Sequence, residues 1–197
     1  MIYLDPPWDV QQKGNYGADR HYDVMTLEQI RGLGDAIREL AAENSHCYLW
    51  VTNATLRHGY DLLEEWGFTP RTGPLTWVKP RLGLGQYLRN ATEHLLFGTR
   101  GKAPVKYRSQ PTWAFWPLLD HSTKPDEVYA VIDRLSGRDA TKLELFARRE
   151  PPFPNWSVWG NEIRSDVSLS HHGYWVPSDF VPPEPAPSPD APTAREA

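Results

Sequence analysis

The sequence predicts an α/β fold in which a doubly wound, mostly parallel sheet carries helices on both faces. Short apolar runs alternate with amphipathic stretches of about 10–15 residues, which is the pattern of strands joined by crossover helices. The chain has 197 residues, of which 40% are hydrophobic. That is enough for one domain with a buried core.

Three amphipathic stretches predict the helices. In residues 27–41 apolar side chains recur at spacings of three and four, and Thr26 with Gln29 forms a capping-box pattern at the start. A second helix is predicted over residues 55–66 and ends at a glycine. A third is predicted over residues 123–137, with a proline and two acids in its first turn.

Six short apolar runs predict the strands. In parallel sheets ligands bind outside the carboxyl ends of the strands, so the residues after each strand are candidates for a site. An aromatic segment around Trp113, Phe115 and Trp116 is more often typical of core packing than of a base-stacking platform, and its role is left unassigned. The six predicted strands are residues 2–4, 46–51, 75–78, 93–97, 142–146 and 156–159.

A change of composition near residue 177 predicts two segments. Residues 177–197 contain 7 prolines, four acids and one Arg, so they cannot bury enough apolar surface to offset their ordering entropy. We expect a folded domain over residues 1–176 and a disordered, acidic tail rich in Pro and Ala over residues 177–197. The tail would carry most of the formal net charge of −4.

Composition also excludes several classes. The single cysteine, Cys47, excludes an internal disulfide and a multi-cysteine metal site. No apolar run approaches the roughly 18 residues that span a membrane, and residues 1–5 lack the regions of a signal peptide. His121, His171 and His172 lack metal-ligand spacing. We therefore expect a cytoplasmic chain with no membrane partner and no metal.

The motif Asp5-Pro6-Pro7-Trp8 directly follows the first predicted strand. Two prolines fix φ and remove two backbone donors, so their carbonyls can face a ligand from a rigid loop. Asp5 supplies a carboxylate acceptor and Trp8 a flat stacking surface. The exocyclic amine of a purine fits this set, since it can donate one hydrogen bond to Asp5 and one to the Pro6 carbonyl. The alternative is a Pro-rich turn whose Trp is part of the core.

A basic segment follows in the middle of the chain. Residues 79–108 contain seven bases and one acid, Glu93, and Tyr87 and Tyr107 interleave with the bases. This pattern predicts a surface that binds phosphates and bases of a nucleic acid, with a solvated loop as the alternative. The bases are Lys79, Arg81, Arg89, Arg100, Lys102, Lys106 and Arg108.

Seven sequence blocks, in order, resemble the N6-adenine methyltransferases of the DPPW class, the family of the catalytic subunit of the eukaryotic mRNA adenosine methyltransferase. Compact bacterial and phage DNA methyltransferase-like members match the chain best in size. The resemblance covers about residues 2–163. The blocks are residues 5–8, 49–53, 76–79, 83–90 with 93–94, 124–127, 144–148, and 155–156 with 160–162.

The resemblance implies a Rossmann-like methyltransferase fold and S-adenosylmethionine as methyl donor. It implies that Asp5, Pro6, Pro7 and Trp8 form the catalytic loop. In this arrangement Asp5 holds the target amine and lies near the amino group of the donor.

The resemblance also implies five further donor-binding residues. Lys124 would bind the carboxylate of the donor, and Glu144 with Arg148 would contact its ribose. Asn161 and Glu162 would lie near the ribose and the adenine. A lysine near a helix N-terminus suits an anion, and a carboxylate at a strand end suits ribose hydroxyls.

The chain departs from the family in three places. It begins four residues before Asp5, where relatives usually have another strand upstream. Arg149 and Glu150 stand where larger relatives often carry His-Asn, and Glu162 stands where Gln is frequent.

The expected function is methyl transfer to the N6 amine of adenine in a nucleic acid. The small size and the lack of a CCCH finger favour DNA over RNA. A base in a duplex would have to be extruded before reaction. Two alternatives are an RNA adenosine methyltransferase and a non-catalytic, methyltransferase-like nucleic-acid-binding subunit, and a homodimer or heterodimer is compatible with either. A small-molecule acceptor conflicts with the basic segment.

Overall fold

Residues 1–9, 24–71, 73–85, 87–119 and 123–179 are described in a computed structural model of the chain. They form eight strands and four helices. The strands are β1 (Ile2–Leu4), β2 (Ser45–Val51), β3 (Thr69–Pro70), β4 (Leu75–Val78), β5 (Thr92–Arg100), β6 (Trp113–Phe115), β7 (Lys142–Leu145) and β8 (Trp156–Trp159). The helices are α1 (Leu27–Gly32), α2 (Gly34–Leu40), α3 (Leu56–Glu65) and α4 (Glu127–Ser136).

The strands form one sheet in the order β6-β4-β5-β2-β1-β7-β8, and β3 also pairs with β5. Strand β1 lies between β2 and β7, parallel to both. Among the described strands, β5 runs antiparallel to β2, β3 and β4, and the other seven share one direction. The predicted mostly parallel sheet is confirmed. The reversal at β5 arises because no helix lies between β4 and β5 to carry the chain back to a parallel start.

Helices cover both faces of the sheet, as predicted. Ile2 and Leu4 of β1 lie in one core cluster with apolar side chains of α1, α2 and α3. Tyr3, between them, lies in a second cluster with α4. This alternation follows the period of two along a strand. Helices thus cover both faces of the sheet, so a ligand has access at the ends of the strands.

The region predicted as one helix over residues 27–41 consists of two short helices. Leu33, between α1 and α2, ends the first and begins the second. The glycines on either side of it allow close packing, since a Cβ on Gly32 would lie 2.6 Å from the Tyr174 hydroxyl and one on Gly34 2.9 Å from the Trp66 ring. The capping box of Thr26 with the residue three positions later is confirmed.

Two other boundaries differ from the prediction. Helix α4 begins at Glu127 rather than Thr123. The reason is that Lys124 precedes a proline, which disfavours helical geometry at that residue. Strand β7 ends at Leu145, because Phe146 has a left-handed φ of 66°.

The aromatic segment near residue 115, which the sequence leaves unassigned, lies outside the core at two of its three residues. Trp113 and Phe115 belong to the edge strand β6 and are 56% and 69% exposed. Trp116 is half-buried, and its carbonyl accepts a hydrogen bond from the Trp77 indole at 3.0 Å. Strands β3 and β6 have two and three residues, too few for an alternating pattern to mark them.

The predicted tail lies almost entirely outside the described residues. Pro177–Asp179 forms a 3₁₀ turn at the end of the described chain. The division into a domain of residues 1–176 and a tail stays a prediction. None of the described helices combines the length and the apolar character that a membrane crossing requires.

Candidate active site

A cavity of about 760 Å³ lies at the edge of the sheet where β1, β2, β7 and β8 end, here called the carboxyl edge. This volume is in the range of small-molecule and cofactor sites. Part of the wall is formed by residues 172–175 of a C-terminal segment, residues 169–175, which we call the strap. The predicted site residues that line the cavity are Asp5, Pro6, Pro7, Trp8, Lys124, Arg148, Asn161 and Glu162.

The loop after β1 is held rigidly. The Pro6 carbonyl accepts a hydrogen bond from the Trp8 backbone N–H at 2.9 Å, and the Pro7 carbonyl accepts one from the Met25 backbone at 2.7 Å. A carbonyl oxygen has two lone pairs, so the Pro6 oxygen can accept a second hydrogen bond. Both features prepare the loop to accept donors from a ligand.

Trp8 belongs to the core and also lines the cavity. Its side chain is 8% exposed, and its indole N–H donates to the Trp50 carbonyl at 3.0 Å. The two interpretations of this residue, core member and cavity surface, are therefore compatible. Its use as a stacking surface stays a prediction.

A network of two carboxylates and two ammonium groups lies at the cavity. Lys124 Nζ is 2.6 Å from Asp5 Oδ2 and 3.5 Å from Glu93 Oε2, and Lys79 also pairs with Glu93. Lys124 Nζ lies 5.5 Å from the centre of the Trp50 ring, which adds a cation–π contact. The network joins residues from the loop after β1, from β5 and from the segment before α4.

Burial and charge act in opposite directions on the two carboxyl groups. Burial raises the pKa of Asp5, and Lys124 offsets this only in part. Burial also acts to raise the pKa of Glu93, but Lys124 and Lys79 together outweigh it and lower that pKa. Asp5 is therefore the carboxyl group of the pair that binds a proton more readily.

Sequence reasoning missed the role of Glu93. The residue belongs to one of the blocks that carry the family resemblance, but the basic segment around it hides its role because it is the one acid there. The available signal was a carboxylate in a buried strand, which requires a cationic partner.

Glu144 does not line the cavity, so its position does not support the expected contact with ribose. It lies in β7 opposite Tyr3 of β1, and its carboxylate accepts a hydrogen bond from the Tyr129 hydroxyl at 2.8 Å. Burial raises the pKa of Glu144 to about 7. A carboxylate buried in a strand requires a hydrogen-bond partner, and here that partner is Tyr129 of α4.

Arg148 and Glu162 form a two-pronged ion pair at the cavity. The Arg148 Nε and Nη2 atoms donate to the two carboxylate oxygens of Glu162 at 2.6 and 3.2 Å. Asn161 lies beside them in the cavity wall. The structure thus brings together three of the residues that were expected to surround the donor's ribose and adenine.

The backbone after β7 turns sharply to reach this position. Phe146 adopts a left-handed φ of 66°, which costs a non-glycine residue about 1–3 kcal/mol. The Ala147 N–H then donates to the Trp159 carbonyl at 2.9 Å. The rings of Phe146 and Trp159 meet edge to face at 5.4 Å and form an apolar part of the wall.

The strap is a part of the site that no motif marks. The Tyr174 hydroxyl donates to the Gln29 carbonyl of α1 at 2.6 Å. Tyr174 and Trp175 line the cavity. In the sequence, the one indication that this segment contributes to the site was the position of these aromatic residues directly before a Pro-rich tail. His171 and His172, which lack metal-ligand spacing in the sequence, lie beside Glu39 of α2, while His121 is outside the described residues.

The predicted basic surface is not one continuous patch, because its bases are divided between two edges of the sheet. Lys79 and Arg81 follow β4 at the carboxyl edge, where they line a second cavity of about 230 Å³. Tyr87 and Arg89 are exposed in the same connection between β4 and β5.

The other four bases lie at the opposite edge, here called the amino edge. Arg100 pairs in register with Ser45, the first residue of β2, and Lys102, Lys106 and Arg108 follow it. The backbone N–H of Lys106 donates to the carbonyl of Leu135 near the end of α4. The nine residues of β5 span about 27 Å, and this extended strand carries the basic segment from one edge to the other.

Comparison with known proteins agrees with the resemblance found in the sequence. The chain is 31% identical over 181 residues to an Arabidopsis thaliana protein named N(6)-adenosine-methyltransferase MT-A70-like, covering 88% of this chain and 25% of that protein. It is 31% identical to the human N(6)-adenosine-methyltransferase catalytic subunit METTL3, over 83% of this chain and 28% of that protein. The chain thus spans about a quarter of the length of these eukaryotic relatives.

A bacterial relative is more similar in length. The type II methyltransferase M.MunI of Mycoplasma sp is 28% identical over 83% of this chain and 77% of its own length. The MT-A70 family matches residues 1–162, which include every strand and helix from β1 to β8. This match agrees with the predicted Rossmann-like fold. The chain therefore belongs to the MT-A70 family.

Proposed function

We propose that this domain transfers a methyl group from S-adenosylmethionine to the N6 amine of adenine in a nucleic acid, with DNA favoured over RNA. The observation that carries the proposal is the Asp5–Lys124 pair in one cavity with the Pro6 carbonyl. This arrangement offers acceptors for an amine beside a cation for the donor's carboxylate. The names of the eukaryotic relatives support the reaction.

The cavity suits S-adenosylmethionine in size and in chemistry. Lys124 would bind the donor's carboxylate, and Arg148, Asn161 and Glu162 would contact its ribose and adenine. The apolar wall at Phe146 would lie against the adenine ring. The donor supplies a methyl group made electrophilic by its bond to a positively charged sulfur.

The loop after β1 would position the acceptor. The Asp5 carboxylate and the second lone pair of the Pro6 carbonyl would accept the two hydrogen bonds of the amine. These bonds orient the nitrogen lone pair toward the methyl carbon, so the nitrogen–carbon bond forms as the carbon–sulfur bond breaks. The nitrogen then loses a proton, for which Asp5 is the nearest base. Positioning supplies most of the acceleration.

The nucleic acid would approach at the carboxyl edge. Lys79, Arg81 and Arg89 are the bases of the basic segment at this edge and would contact phosphates next to the target nucleotide. The extent of the match to a type II methyltransferase favours DNA. In a duplex the adenine must leave the base stack to reach Asp5.

The reaction is tested with labelled donor and a panel of single- and double-stranded DNA and RNA, followed by nucleoside analysis for N6-methyladenine. We expect product from DNA with the parent chain and at least about a hundredfold less with Asp5→Ala. Asp61→Ala, an exposed carboxylate of α3, is the matched control and should retain parent activity.

Three results would contradict parts of the proposal. Activity near the parent level in Asp5→Ala rejects the role of the loop after β1. Methylation of RNA alone rejects DNA as the substrate. Failure to bind S-adenosylmethionine in calorimetry supports the non-catalytic alternative.

A further inference from the structure

Three potential metal ligands meet apart from the network of Asp5, Glu93, Lys79 and Lys124, although one of them, His172, also lines the large cavity. Glu39 of α2, His171 and His172 each offer one ligand atom, and these atoms lie within 4.8 Å of one another. His172 Nε2 is 3.0 Å from one carboxylate oxygen of Glu39, and His171 Nε2 is 3.5 Å from the other. The two imidazole rings touch, with centroids 4.0 Å apart.

The two nitrogen–oxygen separations, 3.0 and 3.5 Å, are close to the distances between ligand atoms in a zinc site. Two ligands that each lie about 2.0–2.1 Å from one tetrahedral zinc ion are about 3.3 Å apart. Each Nε2 atom lies within 3.5 Å of an oxygen of the same carboxylate, so one ion could contact all three side chains after small rotations. Two histidines and one glutamate are a set that zinc accepts, with a fourth position for water.

The backbone holds the two histidines in place before any ion binds. Ser170–His172 is a 3₁₀ turn, and Gly173 after it has the left-handed φ of 84° that favours glycine. Leu169 and Tyr174 form an antiparallel bridge across this turn. The His172 side chain is 16% exposed, so its ring has little freedom to turn away.

We propose that Glu39, His171 and His172 form a binding site for a divalent transition metal, with zinc as the ion that fits best. The site is separate from the reaction proposed above. The ion would link α2 to the strap, whose residues 172–175 line the large cavity. Metal binding would therefore stabilise one wall of the cavity.

The binding is tested on the full chain without a polyhistidine tag, after removal of metal with a chelator. Titration with zinc in a calorimeter should give one equivalent bound, and cobalt(II) should give the visible absorption of a tetrahedral site. Glu39→Gln and His171→Ala should each weaken zinc binding at least about tenfold. The double variant His171→Ala/His172→Ala should abolish it.

Matched controls use exposed residues of the same types. Glu43→Gln and His58→Ala should bind zinc as the parent does. Glu39 and His171 are more than half exposed, so their substitution should leave the fold unchanged in circular dichroism. The proposal is overturned if the parent binds no zinc or if the double variant binds it as tightly as the parent.

The link between α2 and the strap has its own measurement. Zinc should slow hydrogen exchange at the backbone amides of Gly173 and Tyr174, which donate within the turn. The effect should be present in the parent and absent in Glu39→Gln. Exchange rates that zinc leaves unchanged would reject the link to the strap.

Discussion

At the scale of single residues, Asp5 depends on Lys124 to remain an acceptor. Burial raises the pKa of the Asp5 carboxyl above its ordinary value of 3.8, and the ammonium group at 2.6 Å opposes that shift. A protonated Asp5 would offer the amine one fewer acceptor. On the proposed function, activity is lost as the pH falls through the pKa of Asp5.

Replacement of Lys124 should therefore change the pH dependence of the reaction. In Lys124→Met the carboxyl of Asp5 loses its nearest counter-charge, so its pKa should rise further. The acidic limb of kcat/KM for the nucleic acid, measured at saturating donor, should move to higher pH by about one to three units. Lys124→Arg keeps the charge and should move the limb less. An unchanged limb in Lys124→Met would show that Asp5 is not the titrating group.

The sequence identified Asp5 and Lys124 because each belongs to a local motif. It did not identify the pairing of Lys124 with Glu93, or of Glu39 with His172, because these partners come from distant parts of the chain. Glu39 and His172 are 133 positions apart in the chain. Side-chain partners of this kind depend on the path of the sheet rather than on spacing.

At the scale of elements, the ends of β7 and β8 fit closely together. A Cβ on Gly160, directly after β8, would lie against the backbone of Ala147, with the carbonyl oxygen nearest. Neither backbone can move away easily, because the Ala147 N–H is bonded to the Trp159 carbonyl. This contact sets the position of Arg148 and Asn161, which directly follow Ala147 and Gly160 and line the cavity.

Gly160→Ala should separate these two segments. We expect a loss of about 1–3 kcal/mol in the free energy of unfolding and weaker binding of S-adenosylmethionine. Gly67→Ala is the matched control, because its Cβ meets nothing within 4 Å and its φ of 85° alone should cost about 1–2 kcal/mol. The control should bind the donor as the parent does. Denaturant titration and calorimetry measure the two quantities, and parent-like donor binding in Gly160→Ala would contradict this account.

Elements with strong local signals could be predicted from the sequence, and the others could not. Strand β1, the capping box at Thr26 and the glycine after α4 were all recognisable. The break at Leu33 was not, because the apolar period continues through it and the cause is packing of Trp66 and Tyr174 against its neighbours.

At the scale of the whole molecule, the cationic residues are distributed in a way that the net charge of −4 does not reveal. Three bases follow β4 near the cavity, and four lie about 27 Å away beyond β5. A nucleic acid would need to be long enough to reach both groups. The predicted strand over residues 93–97 was the signal for this division, because a strand inside the basic segment separates the bases before it from those after it.

Substitutions in the two groups of bases should therefore have different effects on the affinity for short and for long DNA. Arg81→Ala at the carboxyl edge should weaken binding of both short and long DNA, and should reduce the slope of log affinity against log salt by about one. Arg108→Ala at the amino edge should weaken binding of DNA longer than about eight base pairs, and leave shorter DNA unchanged. Fluorescence anisotropy over a salt series measures both effects. If both variants lost the same affinity for the short DNA, Arg81 and Arg108 would belong to one contact surface.

The loop after β1 also has a consequence for selectivity among bases. Because Pro6 and Pro7 carry no N–H, their loop presents the carboxylate of Asp5 and carbonyl oxygens to whatever enters. A purine with an oxygen at position 6, such as guanine or hypoxanthine, would place an acceptor against acceptors and leave them unpaired. On the proposed function the domain would reject such a base by repulsion, without any proofreading step.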